Sequence, residues 1–121
     1  MYRLKVTDYF SSAHQLHGYK GKCEGLHGHN WKVEVTVEGE KLDSIGLLMD
    51  FKELKQLVHP VLEELDHRFL NDIKAFKDTN PSSELLARHI YAELRDKLPA
   101  RAKLVSVAVW ESENACAVYF E

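Results

Sequence analysis

The most regular alternation of apolar and polar positions lies between residues 31 and 38. Its apolar positions are Trp31, Val33, Val35 and Val37, and the polar positions between them are Lys32, Glu34, Thr36 and Glu38. Strict alternation predicts a β-strand with one packed face and one wetter face. A sheet with two such different faces is typically antiparallel.

Three further strands are predicted on either side of this one. The first covers residues 2–16, the third residues 105–111 and the fourth residues 117–120. In the third strand Glu111 is expected to share a face with the strand's valines. These valines are Val105, Val107 and Val109.

Two helices are predicted between the second and third strands. Asp50 is expected to cap the first helix, with Glu53 reaching back to complete a capping box, and Pro60 should kink or interrupt it. The second helix is expected to begin near residues 80–84, with Pro81 at its first position. The pattern therefore predicts an α+β fold of order ββααββ, with an antiparallel four-stranded sheet and two helices on one face.

Composition narrows the class of protein. The chain has 121 residues, of which 45% are apolar and 29% charged, so we expect a single globular domain over residues 1–121. Sixteen basic and nineteen acidic side chains leave a net charge of −3, which argues against nucleic acid as a partner. No window approaches the ~20 apolar residues of a membrane span. With Cys23 and Cys116 expected as reduced thiols, the predicted location is the cytoplasm.

The seven histidines are the unusual feature of the composition. His27 and His29 are two residues apart at the entry to the second strand, so their rings point to the same face and can converge on Zn²⁺. His14, late in the first strand, is the candidate third ligand, and three ligands with one open position are typical of catalytic zinc. Cys23 as a fourth ligand would instead close a structural zinc site, and both interpretations stay open. Three histidines are not expected to bind metal: His17, His59 and His89.

Six different short motifs follow one another along nearly the whole chain. They lie at residues 10–14, 23–30, 46–51, 65–67, 80–84 and 110–112. In this order and spacing they resemble the 6-pyruvoyltetrahydropterin synthase family. The four-residue step from Cys23 to His27 is similar to the bacterial branch, the 6-carboxy-5,6,7,8-tetrahydropterin synthases of queuosine biosynthesis, because the pyruvoyl-forming animal enzymes have a longer gap. Ser82 stands where relatives often carry threonine, and it keeps the hydroxyl.

The resemblance implies a fold, a metal and a reaction. The fold is the tunnelling fold, in which subunits join their sheets into a barrel, usually as trimers stacked into hexamers with pockets between subunits. The reaction is the conversion of 7,8-dihydroneopterin triphosphate to 6-carboxytetrahydropterin, acetaldehyde and triphosphate by a zinc-dependent lyase. The implied zinc ligands are His14, His27 and His29, and the implied base beside the metal is Cys23.

The resemblance also assigns the remaining site residues. His67 is implied as the proton-relay partner of Cys23, with Asp66 supporting it; side chains of adjacent residues diverge, so Asp66 need not orient His67 within its own subunit. A carboxylate on an apolar face is costly unless it is paired or functional, and the resemblance makes Glu111 the anchor of the pterin ring. Ser82 and Ser83 are the further substrate-binding candidates.

The position of the triphosphate and the reaction itself have alternatives. Candidates for binding the triphosphate are Lys20, Lys22, His17 and Arg68. A second enzymatic hypothesis keeps the fold and zinc but forms 6-pyruvoyltetrahydropterin or only shortens the side chain. A non-enzymatic hypothesis is a zinc-stabilised assembly module with Cys23 as the fourth ligand.

Overall fold

The computed structural model describes residues 1–18 and 25–121. The elements along the chain are β1 (Tyr2–His14), β2 (His27–Gly39), α1 (Phe51–Glu63), α2 (Ser83–Leu94), β3 (Lys103–Trp110) and β4 (Cys116–Phe120). The strands form one four-stranded sheet in the order β1-β2-β3-β4, and every neighbouring pair is antiparallel. The predicted α+β order is thereby confirmed. Within the described ranges no helix has the length and apolar character needed to cross a membrane.

The core lies between the helices and one face of the sheet. The strand predicted from alternation, β2, contributes its apolar face to this core: Trp31 and Val33 are fully buried and Val35 is 1% exposed. From the helices come Leu54, Val58, Val61, Leu62, Leu86, Ile90 and Leu94. Removing this apolar surface from water contributes about 25 cal/mol per Å² to folding, so the core is the main stabilising feature of the chain.

The third strand departs from its predicted phase at one residue. Thr36 lies opposite Ser106 and Val37 lies opposite Leu104, so Val105 is the extra residue of a β-bulge. Leu104 is 5% exposed and occupies the core position. The prediction that Val105 shares the core face is therefore wrong, whereas the strand beyond the bulge keeps the predicted phase.

The first helix confirms its predicted cap but not the full capping box. The Asp50 carboxylate accepts a hydrogen bond from the backbone N–H of Lys52 at 2.8 Å. Glu53 does not reach back to complete the box, because both its oxygens bind the guanidinium of Arg101, at 2.8 and 3.0 Å. Helix α1 also continues through Pro60, which does not interrupt it. Pro60 is exposed in the last turn, where the carbonyl that loses its partner can bind water.

The second helix begins two residues later than the position predicted for proline. Its N-cap is Ser82, whose hydroxyl accepts a hydrogen bond from the N–H of Leu85 at 3.2 Å. Pro81 therefore precedes the cap, and the prediction that it occupies the first helical position is wrong. This placement leaves the carbonyl oxygen of Pro81 outside the helix, where it accepts a hydrogen bond from a histidine of β1.

Candidate metal-binding active site

Three histidines and one glutamate converge at one end of the sheet. The antiparallel register of β1 and β2 sets His14 directly opposite His27, and their Nε2 atoms are 2.9 Å apart. Oε1 of Glu111 lies 2.9 Å from Nε2 of His29, 3.5 Å from that of His14 and 4.0 Å from that of His27. One ligand atom from each residue falls within 4.8 Å of the others. The structure thus brings together the three predicted metal ligands and adds a carboxylate to them.

This cluster continues the apolar face of the sheet. His27 and His29 follow the same alternation of β2 as Trp31, so their rings point to the helix-facing side. The Trp31 ring packs edge-on against His14 and His29, with ring centroids 5.0 Å apart in both pairs. His14 is only 1% exposed. A fully buried indole therefore separates the metal-ligating groups from the hydrophobic core.

Hydrogen bonds to backbone carbonyls define the tautomers of two histidines. Nδ1 of His14 lies 2.8 Å from the carbonyl oxygen of Pro81, and Nδ1 of His27 lies 2.7 Å from that of Gly25. A carbonyl only accepts, so each neutral ring carries its proton on Nδ1 and presents a lone pair at Nε2. The two lone pairs then face each other at 2.9 Å, an arrangement that a cation between them stabilises.

The third histidine, His29, also indicates that a cation would stabilise the cluster. Nε2 of His29 is buried and has no hydrogen-bond partner among the described residues, although Oε1 of Glu111 is close to it. An unpartnered buried nitrogen is costly, whereas a metal ion would use its lone pair. Three imidazoles and one carboxylate are a donor set that suits Zn²⁺, so the residues present fit a zinc ion.

Burial favours the neutral form of two histidines of the cluster, His14 and His29. Desolvation lowers the pKa of His14, and the neighbouring His27 lowers it further, although the Pro81 carbonyl and Glu111 oppose the shift. Desolvation likewise lowers the pKa of His29 against the opposing charge of Glu111. Because only the neutral imidazole binds a metal, both shifts extend metal binding towards lower pH.

Asp66 and His67 meet within one chain, which corrects the expectation that adjacent side chains diverge. His67 has a positive φ of 54°, and this left-handed turn brings its Nδ1 to 2.8 Å from Oδ2 of Asp66. The turn is tied to the outer edge of β1, because the N–H of Ser11 donates to Oδ1 of Asp66 at 2.7 Å and Ser11 accepts from the N–H of His67 at 2.6 Å. The Ser11 bond lowers the pKa of Asp66, and His67 lowers it further.

The His67 ring points away from its own chain. Its side chain is 82% exposed, and no hydrogen bond or ion pair of the described part of the chain joins it to the histidine cluster. Asp66 thus orients His67 from within the same chain, and the free face of the ring is directed to solvent or to a neighbouring molecule.

The two serines lie at the start of α2, where Ser82 borders a cavity. The Ser82 hydroxyl is used as the cap of α2, and Ser83 is the first residue of that helix. Ser82 also lines a cavity of about 460 Å³ together with His17 and Gly18. Cys23, Lys20 and Lys22 lie outside the described residues, so their predicted roles remain predictions.

The other histidines have partners elsewhere. His59 lies between Asp8 and Glu63, 3.0 Å from an oxygen of each. His89 packs against the ring of Phe76 with centroids 5.2 Å apart, and burial lowers its pKa. Neither belongs to the cluster formed by the described residues.

Sequence reasoning placed Glu111 on the correct face but did not place it in the cluster with the three histidines. The missing step was the pairing of β2 with β3, in which Lys32 lies opposite Trp110. Because the pair is antiparallel, that register extrapolates to set Glu111 opposite Trp31, on the face of the sheet that His29 shares. The carbonyls of Pro81 and Gly25 left no signal in the sequence, because their role depends only on backbone position.

Comparisons with known proteins relate this site to pterin chemistry. The model of the family described as 6-pyruvoyl tetrahydropterin synthase matches residues 3–121. The 6-carboxy-5,6,7,8-tetrahydropterin synthase of Synechocystis sp. is 38% identical over 117 residues, which cover 92% of this chain and 87% of that protein. The dihydroneopterin monophosphate aldolase of Pyrococcus furiosus is 43% identical over 91 residues, 75% of each chain.

A solved structure gives the same result for the fold. The 6-pyruvoyl tetrahydropterin synthase of Caenorhabditis elegans superposes with a TM-score of 0.87 at 31% identity, covering 99% of this chain and 95% of that one. The similarity therefore extends over the sheet, both helices and the histidine-bearing strands.

Proposed function

We propose that this chain, which belongs to the 6-pyruvoyl tetrahydropterin synthase family and has its tunnelling fold, is a zinc-dependent 6-carboxy-5,6,7,8-tetrahydropterin synthase. Its proposed pathway is queuosine biosynthesis, and its proposed location is the cytoplasm. It would convert 7,8-dihydroneopterin triphosphate and water to 6-carboxytetrahydropterin, acetaldehyde and triphosphate. The observation that carries the proposal is the inward convergence of the Nε2 atoms of His14, His27 and His29. The 38% identity to the cyanobacterial carboxy-forming enzyme favours this product.

Zinc would be held by His14, His27 and His29, and when bound it supplies a Lewis acid that polarises the oxygens of the substrate side chain. His14 and His27 are already oriented for it by their Nδ1 bonds to backbone carbonyls, an arrangement that raises metal affinity. Glu111 would accept two parallel N–H bonds from the amino-pyrimidinone edge of the pterin, the geometry that a carboxylate offers to a paired donor.

Proton transfer would involve Cys23 as the base and His67 as its relay partner. Asp66 accepts from Nδ1 of His67, so the neutral ring presents Nε2 as the atom that takes up and releases a proton. A thiolate beside a metal has a lowered pKa and is competent as a base near neutral pH. Ser82 and Ser83 remain our candidates for substrate contacts, and support comes from the cavity that Ser82 borders at the start of α2.

The exposed His67 ring supports a site completed between subunits. We propose a trimer-based hexamer in which sheets join at the edges formed by β1 and β4. The outer strand β4 exposes apolar side chains, with Val118 50% and Phe120 69% exposed, as expected for a surface that another copy covers. In this assembly His67 of one subunit would serve the metal site of its neighbour.

Product analysis tests the proposed reaction. The zinc-loaded protein is incubated with 7,8-dihydroneopterin triphosphate, and pterins, acetaldehyde and inorganic triphosphate are measured by mass spectrometry and enzymatic assay. We expect 6-carboxytetrahydropterin and acetaldehyde in equal amounts. Release of triphosphate with a pyruvoyl product and no acetaldehyde would overturn the carboxy assignment.

A second candidate reaction is cleavage of the pterin side chain as an aldol, favoured by the 43% identity to the Pyrococcus furiosus aldolase. Aldol cleavage leaves the phosphate on the departing two-carbon aldehyde, whereas the carboxy reaction releases free triphosphate and acetaldehyde. Parallel incubations with dihydroneopterin monophosphate and triphosphate distinguish the two. A phosphorylated aldehyde formed from the monophosphate, with no reaction of the triphosphate, would establish the aldolase.

Substitution of Cys23 separates the catalytic proposal from the zinc-stabilised assembly module. Cys23→Ala should keep its zinc and lower turnover by about 10²–10⁴, the usual contribution of a general base. Cys116→Ala is the matched control for the loss of a thiol. Cys116 lies on β4, at the proposed subunit edge, so the oligomeric state of this variant is compared with that of the parent first, and its zinc content and turnover should be unchanged. Loss of zinc from Cys23→Ala would assign the cysteine to a closed structural site.

A further inference from the structure

Glu111 has two possible sets of partners that it cannot serve at the same time. In the structure its carboxylate oxygen is within 4.0 Å of all three histidine Nε2 atoms, which makes it a fourth donor of the cluster. The proposed function requires the same carboxylate to bind the pterin ring. A group bound to a metal through one oxygen and pointed at the histidines does not present both oxygens to a planar ligand.

A site with four protein donors differs chemically from a site with three. Four ligands complete the tetrahedral shell of zinc and are typical of structural sites, whereas catalytic sites keep one position open. With Glu111 in the cluster, the site is closed. Catalysis on a substrate oxygen therefore requires one of the four donors to leave.

Glu111 is the donor best able to leave. It follows the last residue of β3, and its side chain is 32% exposed, against 1% for His14. Among the described residues its carboxylate has no hydrogen-bond or ion-pair partner other than the three histidines. His14 and His27, by contrast, are each held by a second hydrogen bond to a backbone carbonyl.

We propose that Glu111 is an exchangeable fourth metal ligand: it closes the resting site and is drawn away by the amino-pyrimidinone edge of the pterin, which opens the fourth position for the substrate side chain. The inference rests on the proposed function for the identity of the pterin. One movement of one side chain then both anchors the ring and exposes the metal.

The exchange predicts a coupling between two ligands. Whatever removes Glu111 from the metal raises the affinity of the metal for a second ligand, and by linkage that second ligand raises the affinity for the pterin by the same factor. Couplings of this kind are commonly about 5–150-fold. The resting protein should therefore bind small metal-directed anions weakly, and the pterin-bound protein should bind them well.

Cobalt-substituted protein gives a test that does not depend on turnover. Co²⁺ replaces zinc, and azide is titrated with and without pterin itself, which has the amino-pyrimidinone edge but no side chain, while the visible absorption of the metal is recorded. In the unsubstituted protein, pterin should increase azide affinity by about tenfold or more. In Glu111→Ala, azide should bind with the higher affinity from the start, and pterin should add nothing.

Matched variants keep the test decisive. Glu113→Ala changes an exposed carboxylate two residues along the same turn and should behave as the unsubstituted protein. Glu111→Gln retains the shape of the side chain if the alanine variant does not fold, and it should also raise azide affinity in the absence of pterin. Equal azide affinities in the unsubstituted protein and the Glu111 variants, or no effect of pterin on the unsubstituted protein, would overturn the exchange.

The two proposals fail in distinguishable ways. A protein that forms 6-carboxytetrahydropterin but shows no coupling between pterin and azide retains the proposed function and loses the exchange. A protein that shows the coupling but forms no carboxy product retains the exchange and loses the assigned reaction.

Discussion

The helix-facing surface of the sheet has two halves that differ in chemistry although they share strands and alternation. In one half β2 contributes Val33, Val35 and Val37 to the core, and in the other it contributes His27 and His29 to the metal-binding cluster. Apolar packing is non-directional, so the valines need only be covered. The histidines need specific partners, which the carbonyls of neighbouring loops provide. One part of β2 thus contributes to stability through the core, and another part of the same strand contributes the side chains of the candidate site.

The largest effect should come from the histidine half. His27→Ala removes one of the three histidines proposed to bind the metal. Loss of a hydrogen-bond partner of such a ligand typically lowers metal affinity by about 10–100-fold, so loss of the ligand itself should lower it by more than about 100-fold. Turnover should be lost as well. The proposed oligomer should persist, because burial of the sheet and helices, and not the metal, holds the fold. Elemental analysis and light scattering measure the two quantities. Unfolding of the metal-stripped protein would show that the two halves are not separable.

Substitutions in the core half should lower stability and leave metal binding unchanged. Val35→Ala deletes two buried methyl groups and should lower the free energy of unfolding by about 2 kcal/mol, with the metal content of the folded protein unchanged. Ile45→Ala is the control, since this side chain is 77% exposed in the loop between β2 and α1 and its truncation should cost less than about 0.5 kcal/mol. Denaturant unfolding gives the energies. Metal loss from folded Val35→Ala would contradict the separation.

A smaller effect is expected at Asp66, which holds the turn at His67 against β1. The N–H of Ser11 and the His67 ring hold the pKa of Asp66 below its ordinary value of 3.8. The resulting stabilisation is present above that value and is lost as pH falls through the lowered pKa. Asp66→Asn should therefore be less stable than the parent at pH 7, with the difference narrowing below about pH 4.

Unfolding curves at several pH values check the Asp66 prediction. Asp96→Asn changes an exposed carboxylate with no ion pair among the described residues, and it should track the parent throughout. A difference between Asp66→Asn and the parent that does not vary with pH would show that the charge of Asp66 is not what stabilises the turn.

The smallest effect is expected at His59, beside the core half. The hydrogen bond that His59 donates to Asp8, reinforced by the charge of Asp8 and by Glu63, raises the pKa of His59 above 6.5. This contribution is fully present below pH 6.5 and is lost as pH rises through the raised pKa. His59→Gln should remove that pH dependence and leave the metal content unchanged. A measured loss of metal would mean that the halves communicate through β1.

Particular residues show how far sequence reasoning extends. The alternation from Trp31 to Val37 identified the central strand because every second side chain had to be apolar. Val105 could not be placed, because Leu104 is equally apolar and only the pairing with β2 decides which of them enters the core. Glu53 fits a capping box by spacing, but Arg101, distant in sequence, takes its carboxylate.

The sequence by itself determined the elements, their order, the three histidines and the side of the sheet on which Glu111 lies, because these follow from local periodicity and side-chain chemistry. Only the tertiary structure decided what those groups do to one another. Strand register set His14 against His27, and the left-handed turn at His67 brought its ring to Asp66. Loop carbonyls directed the lone pairs of His14 and His27 inward. Each of these depends on a contact between distant residues or on a backbone angle, and neither leaves a repeating pattern in the chain.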